Sequence, residues 1–144
     1  MTVRYIQSER AQESLERIDA LIDAHTLETY PELKDLDSHL YAVQAFDELD
    51  FVGGIAFKKQ YETVHINALA VKEAYRGHQI GSGLLKEMEQ LVESMGVHTV
   101  SLSTLSYQAL DFYKKLGYSL SGEMKDYPRR GVTKYSLYKR LPNY

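Results

Sequence analysis

Arg76-Gly77-His78-Gln79-Ile80-Gly81-Ser82-Gly83 is the stretch of this chain whose residue types and spacing could do chemistry. Glycines in a turn that opens a helix let backbone N–H groups point outward, where the helix dipole also favours an anion. Arg76 and His78 add charge and hydrogen-bond donors. The chemistry this suits is the holding of a phosphate group. Two other glycine signatures do not fit. A dinucleotide fingerprint needs Gly-x-Gly-x-x-Gly directly after a strand. Here Gly77, Gly81 and Gly83 are spaced otherwise, and Lys72 to Tyr75 intervene. A Walker A loop needs Gly-Lys-Ser/Thr after its second glycine, which this chain lacks. No metal site is expected. The histidines are scattered, without a His-Glu-x-x-His helical pair. With no cysteine there is no thiolate ligand, no disulfide and no cysteine nucleophile. No Ser-His-Asp set can be assigned from spacing.

The turn has to be positioned by a strand before it and a helix after it. His65–Val71 is apolar or β-branched at both ends and reads as the strand. Leu84, Leu85, Met88, Leu91, Val92 and Met95 recur at helical spacing and predict one helix face, with Gly96 as its stop. Upstream, Thr2–Ile6 alternates and predicts an opening strand. Ser8 reads as the N-cap of a helix whose face is Leu15, Ile18, Leu21 and Ile22, running to about Ala24. Tyr30-Pro31 interrupts helical geometry, and Leu33, Leu36 and Leu40 predict a short second helix. Leu40–Phe46 and Phe51–Lys59 predict a hairpin through Asp47–Asp50, with Gly53-Gly54 marking a bulge or close backbone packing.

Beyond Gly96, His98–Leu105 predicts a strand with Val100 and Leu102 on one face and Ser101 and Ser103 on the other. It follows strand and helix, so it is expected parallel to the His65 strand through a crossover. Ser106–Leu116 predicts an amphipathic helix with Ala109, Phe112, Tyr113 and Leu116 inward and Gly117 as its stop. Tyr118–Gly122 and Thr133–Arg140 are expected to close the sheet around a basic, aromatic loop, Met124–Gly131.

A chain of 144 residues fits one compact domain, 1–144. A net charge of −3 gives no general electrostatic reason to bind nucleic acid. No apolar run approaches the roughly 20 residues of a membrane span, and the N-terminus lacks a signal peptide's apolar core. The expectation is a cytoplasmic protein without a membrane partner.

The order Leu69-Ala70-Val71, a short link, Arg76-Gly77-His78-Gln79-Ile80-Gly81 and then Leu84-Leu85 resembles motif A of the GNAT superfamily of acyl-CoA-dependent N-acetyltransferases. In that family an Arg/Gln-x-x-Gly-x-Gly/Ala turn holds the pyrophosphate of coenzyme A. Gln79 takes the place of the first glycine and is expected to keep a negative φ, where a Cβ does not clash. Ala109-x-x-Phe112-Tyr113-x-x-x-Gly117-Tyr118 resembles motif B, with Ser106 where the family has Asn and Tyr118 where it has Phe. The two motifs cover about Val64 to Leu120; the first half of the chain matches in element order only. The resemblance implies an α/β (α+β) fold of GNAT type. Its mixed, mostly antiparallel central sheet contains a parallel, splayed strand pair and is flanked by helices.

It also implies a reaction. Acetyl-CoA, as co-substrate, would give its acetyl group to a primary amine of a small molecule by direct attack in a ternary complex. Transfer of another short acyl group, modification of a protein or peptide amine, and a catalytically silent acyl-CoA-binding module remain open. By resemblance, the backbone at Leu69, Ala70 and Val71 binds pantetheine and polarises the thioester carbonyl. Arg76, Gly77, His78, Gln79, Ile80, Gly81, Ser82 and Gly83 form the pyrophosphate turn, and Ser106 joins the cofactor contacts. Tyr113 stands where the family has the tyrosine that protonates the leaving thiolate. A phenol with a pKa of about 10 stays a donor at neutral pH; the other reading is a buried ring on an apolar face. His65 holds the place of a general base, and His65 and Asn67 match the His-x-His of arylalkylamine acetyltransferases. The other readings are a structural histidine, or an amine that loses its proton to water before binding. A further family variant has its glutamate at the position of Ser101, which cannot serve. Family domains are commonly dimers, so a homodimer is expected, with no interface fixed by the sequence. The loop Tyr127–Arg130 would face an acidic or aromatic substrate, or a second subunit.

Overall fold

The computed structural model describes residues 1–33 and 38–144, in two compact units, 1–36 and 37–144. In the first unit Thr2–Ile6 forms no strand. Alternation assigns faces to a strand but supplies no hydrogen-bonded neighbour, and a strand exists only where one pairs with it. Helix α1 spans Gln12–Thr29, later at both ends than expected, with Ala11 rather than Ser8 before its first residue. The Ser8 hydroxyl instead donates to Arg10 O at 3.2 Å. Tyr30 leaves helical geometry (φ −132°, ψ 80°) because Pro31 follows it. Of the expected second helix, Leu33 closes one 3-10 turn, Pro31–Leu33, Leu36 lies outside the described residues, and Leu40 belongs to a strand.

The second unit is built on a six-stranded sheet. Its strands are β1 (Ser38–Asp47), β2 (Asp50–Gln60), β3 (Thr63–Val71), β4 (Thr99–Leu105), β5 (Ser119–Lys125) and β6 (Thr133–Arg140), ordered β1-β2-β3-β4-β6-β5. The predicted hairpin closes through Glu48-Leu49, with Glu48 at φ +54°. Gly53 is where close packing is real: a Cβ there would sit 2.8 Å from Ala70 O on β3. A bulge also adjoins it, since Ala45 pairs with Gly53 and Phe46 with Phe51, leaving Val52 as an extra residue on β2; another lies on β3. Ala56 pairs with Ala68 and Phe57 with Ile66, so Asn67 is the extra residue on β3.

Helix α2 (Ile80–Ser94) packs on β1, β2 and β3 and returns the chain so that β4 runs parallel to β3. It buries Leu84, Leu85, Met88 and Val92, each contributing about 1.5–3 kcal/mol of apolar burial before entropy is counted. Leu91 and Met95, expected on the same face, stay 38% and 37% exposed. Leu91 lies at the edge of the apolar arc, and Met95 falls beyond the last helical residue. Helix α3 is only Leu110–Lys115. The expected residues before it form a turn instead. β5 runs on through Met124 and Lys125, which shortens the basic loop. Ile55, Phe57, Met88, Val100 and Leu137 are the centre of one core in this unit, which takes in residues of the sheet, α2 and α3.

Candidate active site

The loop between β3 and α2 builds a concavity of about 600 Å³ lined by Val71, Tyr75, Arg76, Gly77, Gln79, Ile80, Gly81, Ser82, Phe112, Lys115 and Leu116. The first backbone acceptor of α2 is Gln79 O, which takes Gly83 N–H at 3.0 Å. The N–H groups of Ile80, Gly81 and Ser82 precede that bond and have no helical acceptor, as at any helix start. Arg76 and Lys115 supply positive side chains, with Arg76 Nε donating to Val71 O at 3.2 Å. Tyr75 Oη donates to Asp47 Oδ2 at 2.8 Å and ties the approach to the β1–β2 hairpin; that hydrogen bond holds the Tyr75 phenol above its ordinary pKa. Such a cup fits a diphosphate: free amides, a helix dipole and two cations converge on it.

The cup departs from expectation at one backbone angle. Gln79 is left-handed, φ +63° and ψ 21°, not the negative φ expected of it. The position demands the conformation that glycine adopts without cost, and here a glutamine adopts it. Gly77 is left-handed too, at φ +83°. Gly81 packs beside Phe112, and a Cβ there would stand 3.5 Å from the ring, in ordinary contact. Gly83 lines a neighbouring groove that shares Gln79, Ser82 and Leu116 with the cup, and His78 does not line the cup.

β3 and β4 pair only at Thr63/Thr99, Val64/Val100 and His65/Ser101, then part. The gap is a cleft of about 300 Å³ between Ile66, Asn67, Ala68 and Leu69 of β3 and Leu102, Ser103 and Thr104 of β4, closed by Gln108, Ala109 and Tyr113. Strands that part leave the facing backbone groups unpaired and open to a ligand that can bond them. Leu69 lines this cleft and Val71 the cup, while Ala70 turns to a trough on the opposite side of β3 with Gly54, Ala56 and Ala68. Tyr113 is 6% exposed, its hydroxyl has no partner among the described residues, and burial holds its phenol above the ordinary pKa. His65 is exposed, its Nδ1 is 3.0 Å from Ser101 Oγ, and it is not among the residues lining the Tyr113 cleft. Ser106 also stands outside that lining: its N–H donates to Thr133 O at 2.8 Å and its hydroxyl accepts Thr133 N–H at 3.1 Å.

Residues 6–118 match the model of the acetyltransferase (GNAT) family. The chain belongs to this family. It is an acyl-CoA-dependent N-acetyltransferase, and its mixed sheet with one parallel pair is the fold expected. This GNAT enzyme is 30% identical over 135 residues to a blasticidin-S acetyltransferase of Streptomyces morookaense, covering 89% of this chain and 98% of the relative. It is similar to the crystal structure of an acetyltransferase from Bacillus cereus ATCC 14579, with a TM-score of 0.85, 26% identity and 96% and 98% of the two chains covered. The aminoglycoside 6'-N-acetyltransferase of Enterococcus faecium shares the fold, with a TM-score of 0.64 at 23% identity over 94% and 96% of the chains.

Three parts of the GNAT enzyme's site escaped the sequence reading. Lys115 in the cup lies on a surface helix position and carries no signal of its own. Gln108 looks like a loop residue, yet its Oε1 accepts Leu105 N–H at 2.8 Å and lies 3.5 Å from Thr104 Oγ1. Thr104, 4% exposed, in turn accepts Ala109 N–H at 3.2 Å. Gln108 Nε2 then has no partner among the described residues, and the side chain lines the cleft. Behind Tyr113, a cluster forms from Glu89 of α2, Lys139 of β6 and Tyr118 in the link between α3 and β5. Among the described residues no group of His, Cys, Asp and Glu could hold a metal ion. No described helix is long and apolar enough to cross a membrane.

Proposed function

We propose that this enzyme moves the acetyl group of acetyl-CoA to a primary amine of a small molecule by direct attack within a ternary complex. The observation that carries this reading is the unpartnered Tyr113 hydroxyl in the cleft where β3 and β4 part. The cup residues Arg76, Gly77, Gln79, Ile80, Gly81 and Ser82, joined by Lys115, hold the pyrophosphate. The cleft backbone from Asn67 to Leu69 holds the pantetheine arm, with Gln108 as a side-chain donor. When bound, acetyl-CoA supplies an activated thioester. Tyr113 donates its proton to the departing thiolate, and its raised pKa keeps that proton in place through neutral pH. Backbone N–H groups at the β3 bulge stabilise negative charge on the thioester oxygen. His65 is the proposed base: in the tautomer whose Nδ1–H donates to Ser101 Oγ, Nε2 takes the amine proton through water. The antibiotic named for the Streptomyces relative supports a small-molecule acceptor over a protein one.

The test begins with thermal shift in CoA, acetyl-CoA and NAD, where only the CoA ligands should stabilise the fold. Thiol release is then followed with blasticidin S, an aminoglycoside and a peptide bearing a free N-terminus. Tyr113→Phe should lower kcat by roughly 10²-fold or more while CoA affinity stays near wild type. Wild-type turnover in that variant removes the acid role. Turnover of the peptide alone would move the acceptor to proteins.

A further inference from the structure

The Glu89–Tyr118–Lys139 cluster is not among the residues that line the cup or the cleft, yet it reaches Tyr113 through the Tyr118 ring and the end of α3. Lys139 Nζ donates to Glu89 Oε1 at 2.8 Å, to Glu89 Oε2 at 3.1 Å and to Leu116 O at 2.9 Å. Leu116 immediately follows α3, so Lys139 supplies a donor to a carbonyl that the helix end leaves without one. Tyr118 Oη donates to Glu89 Oε1 at 3.3 Å, and the ammonium of Lys139 stands 5.6 Å from the Tyr118 ring centre. The ring of Tyr118 in turn meets that of Tyr113 edge-on, with centroids 5.7 Å apart. Tyr113 O accepts both Leu116 N–H at 3.1 Å and Tyr118 N–H at 3.0 Å. The chain of contacts therefore runs from α2 and β6 through Tyr118 to Tyr113.

The arrangement is more than a surface ion pair. The side chains of Glu89 and Lys139 are only 15% and 28% exposed. Burial and the adjoining Glu89 carboxylate keep the Tyr118 phenol protonated well past the ordinary range, so the phenol keeps the proton it donates to Glu89 at neutral pH. α3 has six residues, too few to hold a side chain in place by its own hydrogen bonds. Its orientation must come from what grips its end. We infer that Glu89 and Lys139, acting through Tyr118, are positioning residues that fix the Tyr113 hydroxyl over the cleft. The inference rests on the reading of Tyr113 as the acid.

The kinetic test is a double-mutant cycle against Tyr113→Phe. The pair Glu89→Gln with Lys139→Met removes both charges together, so neither is left buried alone. Tyr118→Phe deletes one hydroxyl, keeps the ring, and carries the test if the charge pair fails to fold. kcat should fall about tenfold in either variant, because displacing a reacting group by about 1 Å costs up to 10²-fold. KM for acetyl-CoA and CoA affinity should stay within about twofold, since none of the substituted side chains lines the cup or the cleft. In the Tyr113→Phe background the same changes should add less than about twofold. An equal loss in both backgrounds, or an unchanged kcat in folded variants, overturns the inference. Wild-type turnover in Tyr113→Phe alone overturns the acid reading and the inference with it. A readout free of any acceptor is fluorine NMR of fluorotyrosine placed at position 113. Its resonance should shift or broaden in the variants with CoA bound, and an unchanged resonance counts against the cluster.

Discussion

Gln79 bears the sharpest residue-scale consequence of this site. Its left-handed backbone is held by the turn that presents the α2 amides, and a Cβ in that region costs about 1–2 kcal/mol. Gln79→Gly should therefore raise unfolding free energy by about 1 kcal/mol, less than the strain alone because glycine loses more freedom on folding. Urea unfolding would show it as a higher midpoint at unchanged slope, with CoA affinity equal or higher. Gln108 makes an opposite case. Gln108→Glu keeps the oxygen that accepts Leu105 N–H but turns the free amide donor into a carboxylate. The melting temperature should hold, while CoA affinity falls about tenfold, since an unmet acceptor costs about 1–3 kcal/mol. The adenosine bisphosphate half of CoA, which lacks the pantetheine arm, should bind both proteins alike. Equal CoA binding by the two proteins would leave Gln108 as a turn brace only. Neither angle nor bond was legible in the sequence. A residue's φ and the direction of a loop amide are set by the atoms that close around them.

At the scale of elements, the β3-turn-α2 unit explains why the site forms where it does. Strand and helix are both specified by apolar period, and the residues between them have only to turn. The β2 edge of this unit admits no side chain at Gly53, where a Cβ would press on Ala70 O at 2.8 Å. Gly53→Ala should cost about 1–3 kcal/mol by overpacking, seen as a lower urea midpoint. An unaltered midpoint would mean that the strands can separate without penalty. The α3 segment shows the reverse dependence. Its apolar spacing predicted a helix from Ser106, but Thr104 and Gln108 bond backbone groups at the turn, Ser106 bonds Thr133 N–H on β6, and together they hold the segment out of helical geometry. The side chains that compete with a helix outweighed its period.

Across the molecule, burial sets the behaviour in alkali. Tyr113 and Tyr118 both have phenols raised above the ordinary value near 10, first through burial. Folding thus favours their protonated forms. That stability is fully present below about pH 10 and is lost as pH rises through the folded-state values. Of the 12 tyrosines, these two should withhold their tyrosinate absorbance until the fold opens, and Tyr118→Phe should remove one such late group. Smooth titration of every tyrosine near pH 10 with the fold intact would contradict this. The sequence by itself determined the core-facing Leu84, Leu85, Met88 and Val92 of α2, the hairpin, the parallel relation of β3 and β4, and the place of the glycine turn. These follow from local period, turn chemistry and chain order. Tertiary structure alone decided where β3 and β4 part, which hydroxyl is left without a partner, and how Glu89, Tyr118 and Lys139 meet. Those outcomes depend on contacts between residues far apart in the chain, and local period carries no information about them.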